Sequence, residues 1–488
     1  MAPPVPYDGF DLMPIAGEWR RGSSGERRAD VDPWSGETLV EIPLAAESDL
    51  DQAYQAAGDA QREWASRPPA ARAQVMLAAA ETLRGRREEI VGWLVRESGG
   101  TVAKAELECD LVLGGLMEAA SVPHRVLGRI NPSDIPGKES RIYRVPAGVI
   151  AVISPWNFPL QLSNRSLAPA LAAGNAVVLK PASDTPISGG LLHAKILDEA
   201  GLPPALLSVL VGTGTEIGDA MVRHPVPSVV SFTGSTPVGE GIARQAPLKR
   251  LALELGGNGP LIVLADADLD RAVPAAVFGS LFHQGQICMI ANRIILEDAI
   301  HEEFLERFLE RVAALKVGDP SDPETALGPV INHSQLEAIR DKIARSLDGG
   351  AEQLLGGDPG GPSGLLLPPH VLLADNEAPV AREEVFGPVA TVLRAQDAEE
   401  ALAIANDTEY GLSSAIFTAD VERGVRLAQR LQAGMTHIND SPVNDDPNTA
   451  FGGEKASGVG RFGGDWAIEE FTTDHWISVQ HEPREYPI

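Results

Sequence analysis

From Gly148 to Glu254 the chain alternates strand-like runs with helical ones, and this rhythm limits its fold more than any other feature. Val149–Ser154, Asn175–Leu179, Leu207–Val211, Ser228–Phe232 and Arg250–Glu254 are short, apolar and largely β-branched. Helical stretches lie between them, at about Leu162–Ala173, Ile187–Ala200, Glu216–His224 and Val238–Gln245. Parallel neighbours cannot be joined by a tight turn, so this pattern predicts a parallel sheet with helices on both faces. Pro260–Leu264 opens a second alternating block. Within it His301–Leu315 sets Phe304, Phe308, Val312 and Leu315 on one helical face. The class is α/β.

The flanks read differently. The first 45 or so residues are rich in Pro, Gly and turn signals and are expected to wrap the surface as short strands. Ser48 opens a helix with Leu50, Ala53, Tyr54 and Ala57 on one face, and Pro68-Pro69 ends it. Helices follow at about Ala70–Leu83 and Glu88–Glu97. Residues 121–147 read as a protruding hairpin of Val126–Ile130 and Ser140–Val145. Trp476–Gln480 is strand-like and could pair with that hairpin or with another subunit. Gly349–Gly364 reads as a glycine-rich loop.

At 488 residues the chain should form two or three domains. A formal charge of −28 repels nucleic acid and anionic membranes. Two cysteines cannot build a disulfide framework, which points to a reducing cytoplasm. The start lacks a basic region followed by an apolar run, so no secretory signal is expected. The apolar runs are too short to cross a bilayer, and the histidines show no metal spacing.

Chemistry enters with a thiol and a carboxylate. Glu254 lies in Leu-Glu-Leu-Gly-Gly (253–257) and Cys288 in Gly-Gln-Ile-Cys (285–288). A thiol can carry a covalent intermediate, and a carboxylate can activate the water that breaks it. Cys109, in a helical context, reads as a small buried hydrophobe. The one literal G-x-G-x-x-G, Gly458–Gly463, opens no long helix and is a weak phosphate site. Val211-Gly212-Thr-Gly214 and Phe232-Thr-Gly-Ser-Thr236 follow strands and precede helices, the better setting for phosphate oxygens.

Ser154-Pro-Trp-Asn157-Phe-Pro159, Lys180-Pro-Ala-Ser183, Phe232–Thr236, Leu253–Gly257, Gly285–Cys288, Glu383-Glu384-Val-Phe386-Gly-Pro388 and Phe451-Gly-Gly-x-Lys455-x-Ser457-Gly resemble, in order and spacing, the motifs of the NAD(P)-dependent aldehyde dehydrogenase superfamily. The resemblance covers about residues 30–480. Lys-Pro-Ala-Ser-Asp-Thr-Pro (180–186) and His-Gln-Gly-Gln-Ile-Cys-Met (283–289) look most like its benzaldehyde and vanillin dehydrogenases. It implies a Rossmann-like cofactor domain (1–124 and 148–254, with part of 456–472), an α/β catalytic domain (255–455), and an oligomerisation hairpin and C-terminal strand (125–147 and 473–488).

The resemblance also implies roles. Cys288 would be the nucleophile, Asn157 an oxyanion donor and Glu254 the base that hydrolyses a thioester. Trp156, Lys180, Ser183, Thr233, Gly234, Ser235, Glu384 and Phe386 would bind NAD or NADP, with Lys180 at the adenosine ribose and Glu384 at the nicotinamide ribose. Ser183 stands where NAD-preferring relatives often carry Glu, so NADP acceptance is expected. Phe158, Arg165, Ile287, Met289 and Phe451 would line the aldehyde pocket. Arg165 replaces an aromatic residue common in relatives acting on aliphatic aldehydes; it would contact a ring hydroxyl or form a salt bridge at the rim. His283 reads as a satisfied structural histidine. Other readings are an aliphatic-aldehyde dehydrogenase, a CoA-acylating dehydrogenase, a silent structural relative and a thiol esterase. Glu254 argues against the acylating reading, and an intact Cys288, Glu254 and Asn157 against the silent one. A homodimer or homotetramer is expected.

Overall fold

The structure, a computed structural model, describes residues 4–246 and 248–488. The first three residues of the N-terminal segment thus lie outside it. Val149–Ile153 (β1), Ala176–Lys180 (β2), Leu207–Val209 (β3), Val229–Thr233 (β4) and Arg250–Glu254 (β5) form the predicted parallel sheet, in spatial order β3-β2-β1-β4-β5. This is the doubly wound order, which opens a crevice at the carboxyl ends of β1 and β4, where the winding reverses.

A second sheet holds Pro260–Val263 (β6), Arg293–Glu297 (β7), Glu352–Leu355 (β8), His370–Leu373 (β9), Val389–Ala395 (β10), Ser413–Phe417 (β11) and Met435–Ile438 (β12), in the order β8-β9-β10-β7-β6-β11-β12. All its pairings are parallel except β8 with β9. The strand β8 falls inside the expected glycine-rich loop. Its Leu354 and Leu355 pack on a core that includes Phe304 and Phe308, and that packing outweighs the surrounding glycines.

Gly458–Val459 (β13) pairs antiparallel with β5. A Cβ on Gly458 would lie 2.1 Å from the Leu253 carbonyl oxygen. Backbone approach thus explains at least this glycine of the G-x-G-x-x-G match, without a phosphate. The hairpin is shorter than its sequence suggests, because the helix Val102–Arg125 (α1) runs through Pro123. Its strands Arg129–Asn131 and Lys138–Pro146 pair antiparallel, and Thr472–Gln480 of the same chain adds the third strand, with Trp476 opposite Ile142. Among the described residues no helix is long and apolar enough to cross a membrane.

Helix α1 packs along Pro159–Ala173 (α2), which follows β1. Lys104 and Glu108 on α1 form an ion pair with no solvent exposure. The other Glu108 oxygen accepts the backbone N–H groups of Leu160 and Gln161, at 2.8 and 3.0 Å. A carboxylate here satisfies N–H groups that the first turn of α2 leaves free, and it complements the helix dipole. The Lys104 Nζ sits 4.4 Å from the centre of the Phe158 ring. This buried group therefore fixes the turn that carries Asn157 and Phe158. Removing one partner of a buried pair typically costs about 3–5 kcal/mol. Glu108→Ala should lower the urea midpoint of unfolding accordingly, whereas Asp110→Ala on the exposed side of α1 should change it little.

Candidate active site

Cys288 lies in a segment of unusual backbone. His283, Gln284 and Gly285 all have positive φ, at 51°, 54° and 68°. Such a run costs energy for the two residues that carry a Cβ. It is held from both sides. The Gln284 Nε2 donates to the carbonyls of Gly99 and Pro329, each at 2.8 Å, and the Gln286 Oε1 accepts the Ile331 N–H at 3.0 Å. A Cβ on Gly285 would meet the Gly387 carbonyl oxygen at 1.9 Å, so only glycine fits there.

Two cavities meet at this cysteine. One, of about 230 Å³, is lined by Cys288, Asn157, Phe158, Arg165, Ile287, Met289 and Phe451. The other, of about 270 Å³, is lined by Cys288, Asn157, Trp156, Thr233, Gly234, Ser235, Glu384 and Phe386. Each set of residues singled out in the sequence for one purpose thus surrounds one cavity, and the thiol belongs to both. Lys180 and Ser183 are exceptions. They do not line the second cavity but lie at the end of β2 toward the Gly212–Gly218 segment, where the Ser183 Oγ reaches the Gly212 carbonyl at 3.4 Å.

Asn157 is positioned for donation. Its Nδ2 gives one hydrogen bond to the Gln286 carbonyl at 3.0 Å. That fixes the amide and leaves its second N–H free beside Cys288. Glu254 is 1% exposed, and neither carboxylate oxygen has a hydrogen-bond partner among the described residues. Burial is the main cause that pushes its carboxyl up to about 8, with Arg165 and Arg461 opposing. Burial, followed by the Glu254 charge, pushes the Cys288 thiol up to about 12. A cation brought into the second cavity would reverse that balance.

The second cavity suits a nucleotide in its own chemistry. Glu384 accepts the Gly257 N–H at 2.9 Å and keeps acceptor capacity for hydroxyl groups. Burial raises it to about 7. Trp156 and Phe386 meet edge to face at 5.3 Å and give the cavity an aromatic corner. The Phe232–Thr236 loop leads into a regular ten-residue helix, Thr236–Gln245. The other candidate loop does not: Gly214–Gly218 is a wide turn, followed by only five helical residues. At the far end, burial lowers the Lys180 ammonium to about 8, with Arg28 adding to the effect.

Of the two roles open to Arg165, the salt bridge is present: it is paired with Asp445 at 2.5 Å and lies over Phe451 at 3.7 Å. His283 is buried, but neither ring nitrogen has a hydrogen-bond partner among the described residues, so it is not the satisfied histidine expected. Burial, then the Lys104 charge, keeps it neutral, and its ring packs edge-on to Phe158 at 5.4 Å. Cys109 is buried as expected. Sequence reasoning also missed Gln161, Phe278, Phe282 and Asp445 in the first cavity and Gln335 and Lys342 in the second. Gln161 sits one turn from Asn157, so helical spacing could have found it; Asp445 lies in an irregular loop with no such signal.

A doubly wound nucleotide-type sheet, joined to a second α/β sheet with a cysteine shared between two cavities, defines a class of oxidoreductase that works through a thiol. The chain belongs to the aldehyde dehydrogenase family, whose model matches residues 19–477. It is 50% identical over 471 residues to a vanillin dehydrogenase of Corynebacterium glutamicum, covering 96% of this chain and 97% of that protein. It is 46% identical to a benzaldehyde dehydrogenase of Bacillus subtilis, covering 99% of each. The crystal structure of a NAD-dependent benzaldehyde dehydrogenase from Corynebacterium glutamicum superposes with a TM-score of 0.90 at 47% identity, over 97% of this chain and 98% of that one. That of a betaine aldehyde dehydrogenase from Staphylococcus aureus, bound to NAD+, gives 0.95 at 31% identity, over 98% and 96%.

A thiol raised from 9.0 to about 12 loses roughly 10³-fold in thiolate at neutral pH. Without cofactor, alkylation of Cys288 by iodoacetamide, followed by mass spectrometry, should be slower than that of free cysteine by about two orders of magnitude or more. Adding NAD should speed it.

Proposed function

We propose that the protein oxidises an aromatic aldehyde to its carboxylic acid with NAD or NADP. The observation that carries this reading is that Cys288 and Asn157 border both an aromatic-lined slot and a nucleotide-sized cavity. The Cys288 thiol gives its proton to water, and the thiolate sulfur adds to the aldehyde carbon. The developing oxyanion takes hydrogen bonds from the free Asn157 amide N–H and the Cys288 backbone N–H. A bound nicotinamide supplies the hydride acceptor. Oxidation of the adduct leaves the acyl group on Cys288 as a thioester. Glu254, once ionised, takes a proton from water, and the water releases the acid.

The substrate class is supported by Phe158, Phe278, Phe282 and Phe451 around the slot, which suit a planar ring, and by the names of the relatives. Acceptance of NADP is supported by Ser183, which carries no charge to repel a 2′-phosphate, and by Lys180 beside it. Residues 1–124 and 148–254 with part of 456–472 would hold the cofactor and 255–455 the catalytic segment, a division supported by the two sheets. The low cysteine content supports a cytoplasmic setting.

The test is a kinetic panel of benzaldehyde, vanillin, hexanal and betaine aldehyde with each cofactor, followed by absorbance of the reduced nicotinamide. Aromatic aldehydes should give the higher kcat/KM without CoA, and best turnover on hexanal or betaine aldehyde would refute the substrate class. Cys288→Ala should abolish activity, and Asn157→Ala should lower kcat by about 10²–10³. Because Glu254 must lose its proton to act, thioester hydrolysis should rise with pH through about 8. Glu254→Gln should remove that limb and leave a burst of one reduced cofactor per site. Ser183→Glu should shift selectivity toward NAD; a strong NAD preference that this change leaves untouched would refute NADP acceptance.

We also propose a homodimer or homotetramer. The support is the three-stranded sheet, whose outer strand Thr472–Gln480 presents an open edge with Trp476 62% exposed, while Ile130 on the opposite outer strand is 70% exposed. Light scattering should give a multiple of the chain mass, and Trp476→Arg should reduce it.

A further inference from the structure

The pairing of Arg165 with Asp445 leaves an unusual residue of hydrogen-bonding capacity in the aldehyde slot. The two side chains are only 7% and 9% exposed. Arg165 spends its Nη2 on the Asp445 Oδ2, while its Nη1 is buried with no partner among the described residues. Gln161, one turn earlier on α2, donates its Nε2 to the same carboxylate oxygen at 3.2 Å. An ionised carboxylate only accepts, so this contact fixes which way the amide faces. The Gln161 carbonyl Oε1 is then turned from Asp445, and it too is buried without a partner. All three residues line the cavity that reaches Cys288. The site is therefore left with one unsatisfied donor and one unsatisfied acceptor, each costly to leave unpaired.

We propose that Gln161, Arg165 and Asp445 form a recognition subsite for a ring hydroxyl, and that Asp445 is the residue that excludes anionic aldehydes. A phenolic hydroxyl both donates and accepts. Its O–H goes to the Gln161 Oε1, and its oxygen takes an N–H from the Arg165 Nη1. A methoxy group fills only half of this pair, and an unsubstituted ring fills neither. Arg165 alone, flat on Phe451, would attract a carboxylate. Asp445 cancels that charge, so a carboxylate entering the slot loses its hydration and gains no net ionic partner. The apolar walls, Phe278 and Phe282 among them, pack the ring but do not discriminate its substituents. This inference rests on reading the slot as the aldehyde site.

The experiment compares kcat/KM for benzaldehyde, meta-hydroxybenzaldehyde, para-hydroxybenzaldehyde and para-carboxybenzaldehyde. In the wild type at least one hydroxybenzaldehyde should exceed benzaldehyde by about tenfold or more, since a site built to bond a hydroxyl rejects the analogue that lacks it. The carboxy compound should be the poorest of the four. Gln161→Met should bring the hydroxyl preference close to one. Asp445→Asn should raise para-carboxybenzaldehyde relative to benzaldehyde by about tenfold. Arg165→Met, a second route if Asp445→Asn does not fold, should lower the hydroxyl preference and worsen the carboxy compound further by leaving Asp445 unpaired. Aromatic turnover with no hydroxyl preference, or variants that slow all four aldehydes by one factor, would overturn this inference alone. Failure on every aromatic aldehyde with good turnover of hexanal would overturn the aromatic reading along with it.

Discussion

The two sheets are joined by a crossing that has no room for a side chain at three of its five positions. Between β5 and β6 run Leu255-Gly256-Gly257-Asn258-Gly259. A Cβ on Gly256 would lie 2.6 Å from the Glu384 carboxylate, one on Gly257 2.1 Å from the Cys288 carbonyl oxygen, and one on Gly259 2.5 Å from the Ile290 carbonyl oxygen. Asn258, set among these glycines, acts as a bolt. It donates to the Ala381 carbonyl at 2.7 Å and accepts from Asn292 at 2.8 Å. This close backbone passage lets a carboxylate of the first sheet, a cysteine of the second and a nucleotide-side glutamate sit around one point.

Electrostatics at that point follow from the packing. Glu254 is buried beside the half-buried Cys288; burial makes each acid harder to ionise, and the Glu254 charge raises the thiol further. Left alone, such a site rests with both protons on. That suits an enzyme in which the thiol should react only after a cationic ring arrives and the base should act only after the oxidation. Arg165 and Asp445 lie close enough for their opposite charges to act on both acids, in opposite directions. The pair that is proposed to read the substrate therefore also keeps the field at the nucleophile nearly neutral.

Sequence reasoning served well where a residue's meaning is local. The strand ends of β1, β4 and β5 were located to within a residue or so, because β-branched runs bounded by Gly and Ser are decided by neighbours in the chain. The motif residues around Cys288 and Glu384 line two cavities that meet at the thiol. The misses are non-local. Strand β8 was hidden among glycines, since only its packing on the core with Phe304 makes it a strand. The start of the hairpin was set too early, since Pro123 is tolerated in the last turn of α1. Glu108 was not singled out in the sequence, since its role comes from its contact with the first turn of α2.

By itself the sequence determined the α/β class, the parallel order implied by strand–helix alternation and the chemical identity of the thiol, the amide and the carboxylate. Those depend on periodicity and on side-chain type, which the chain carries in linear form. Only the tertiary structure decided that Asp445, 280 residues from Arg165, would neutralise it. It alone decided that Gln161 would be left with a free carbonyl and that a lysine and a glutamate would be buried together behind Asn157. Charge and hydrogen-bonding capacity count only after partners are subtracted, and those partners come from segments that no local pattern connects.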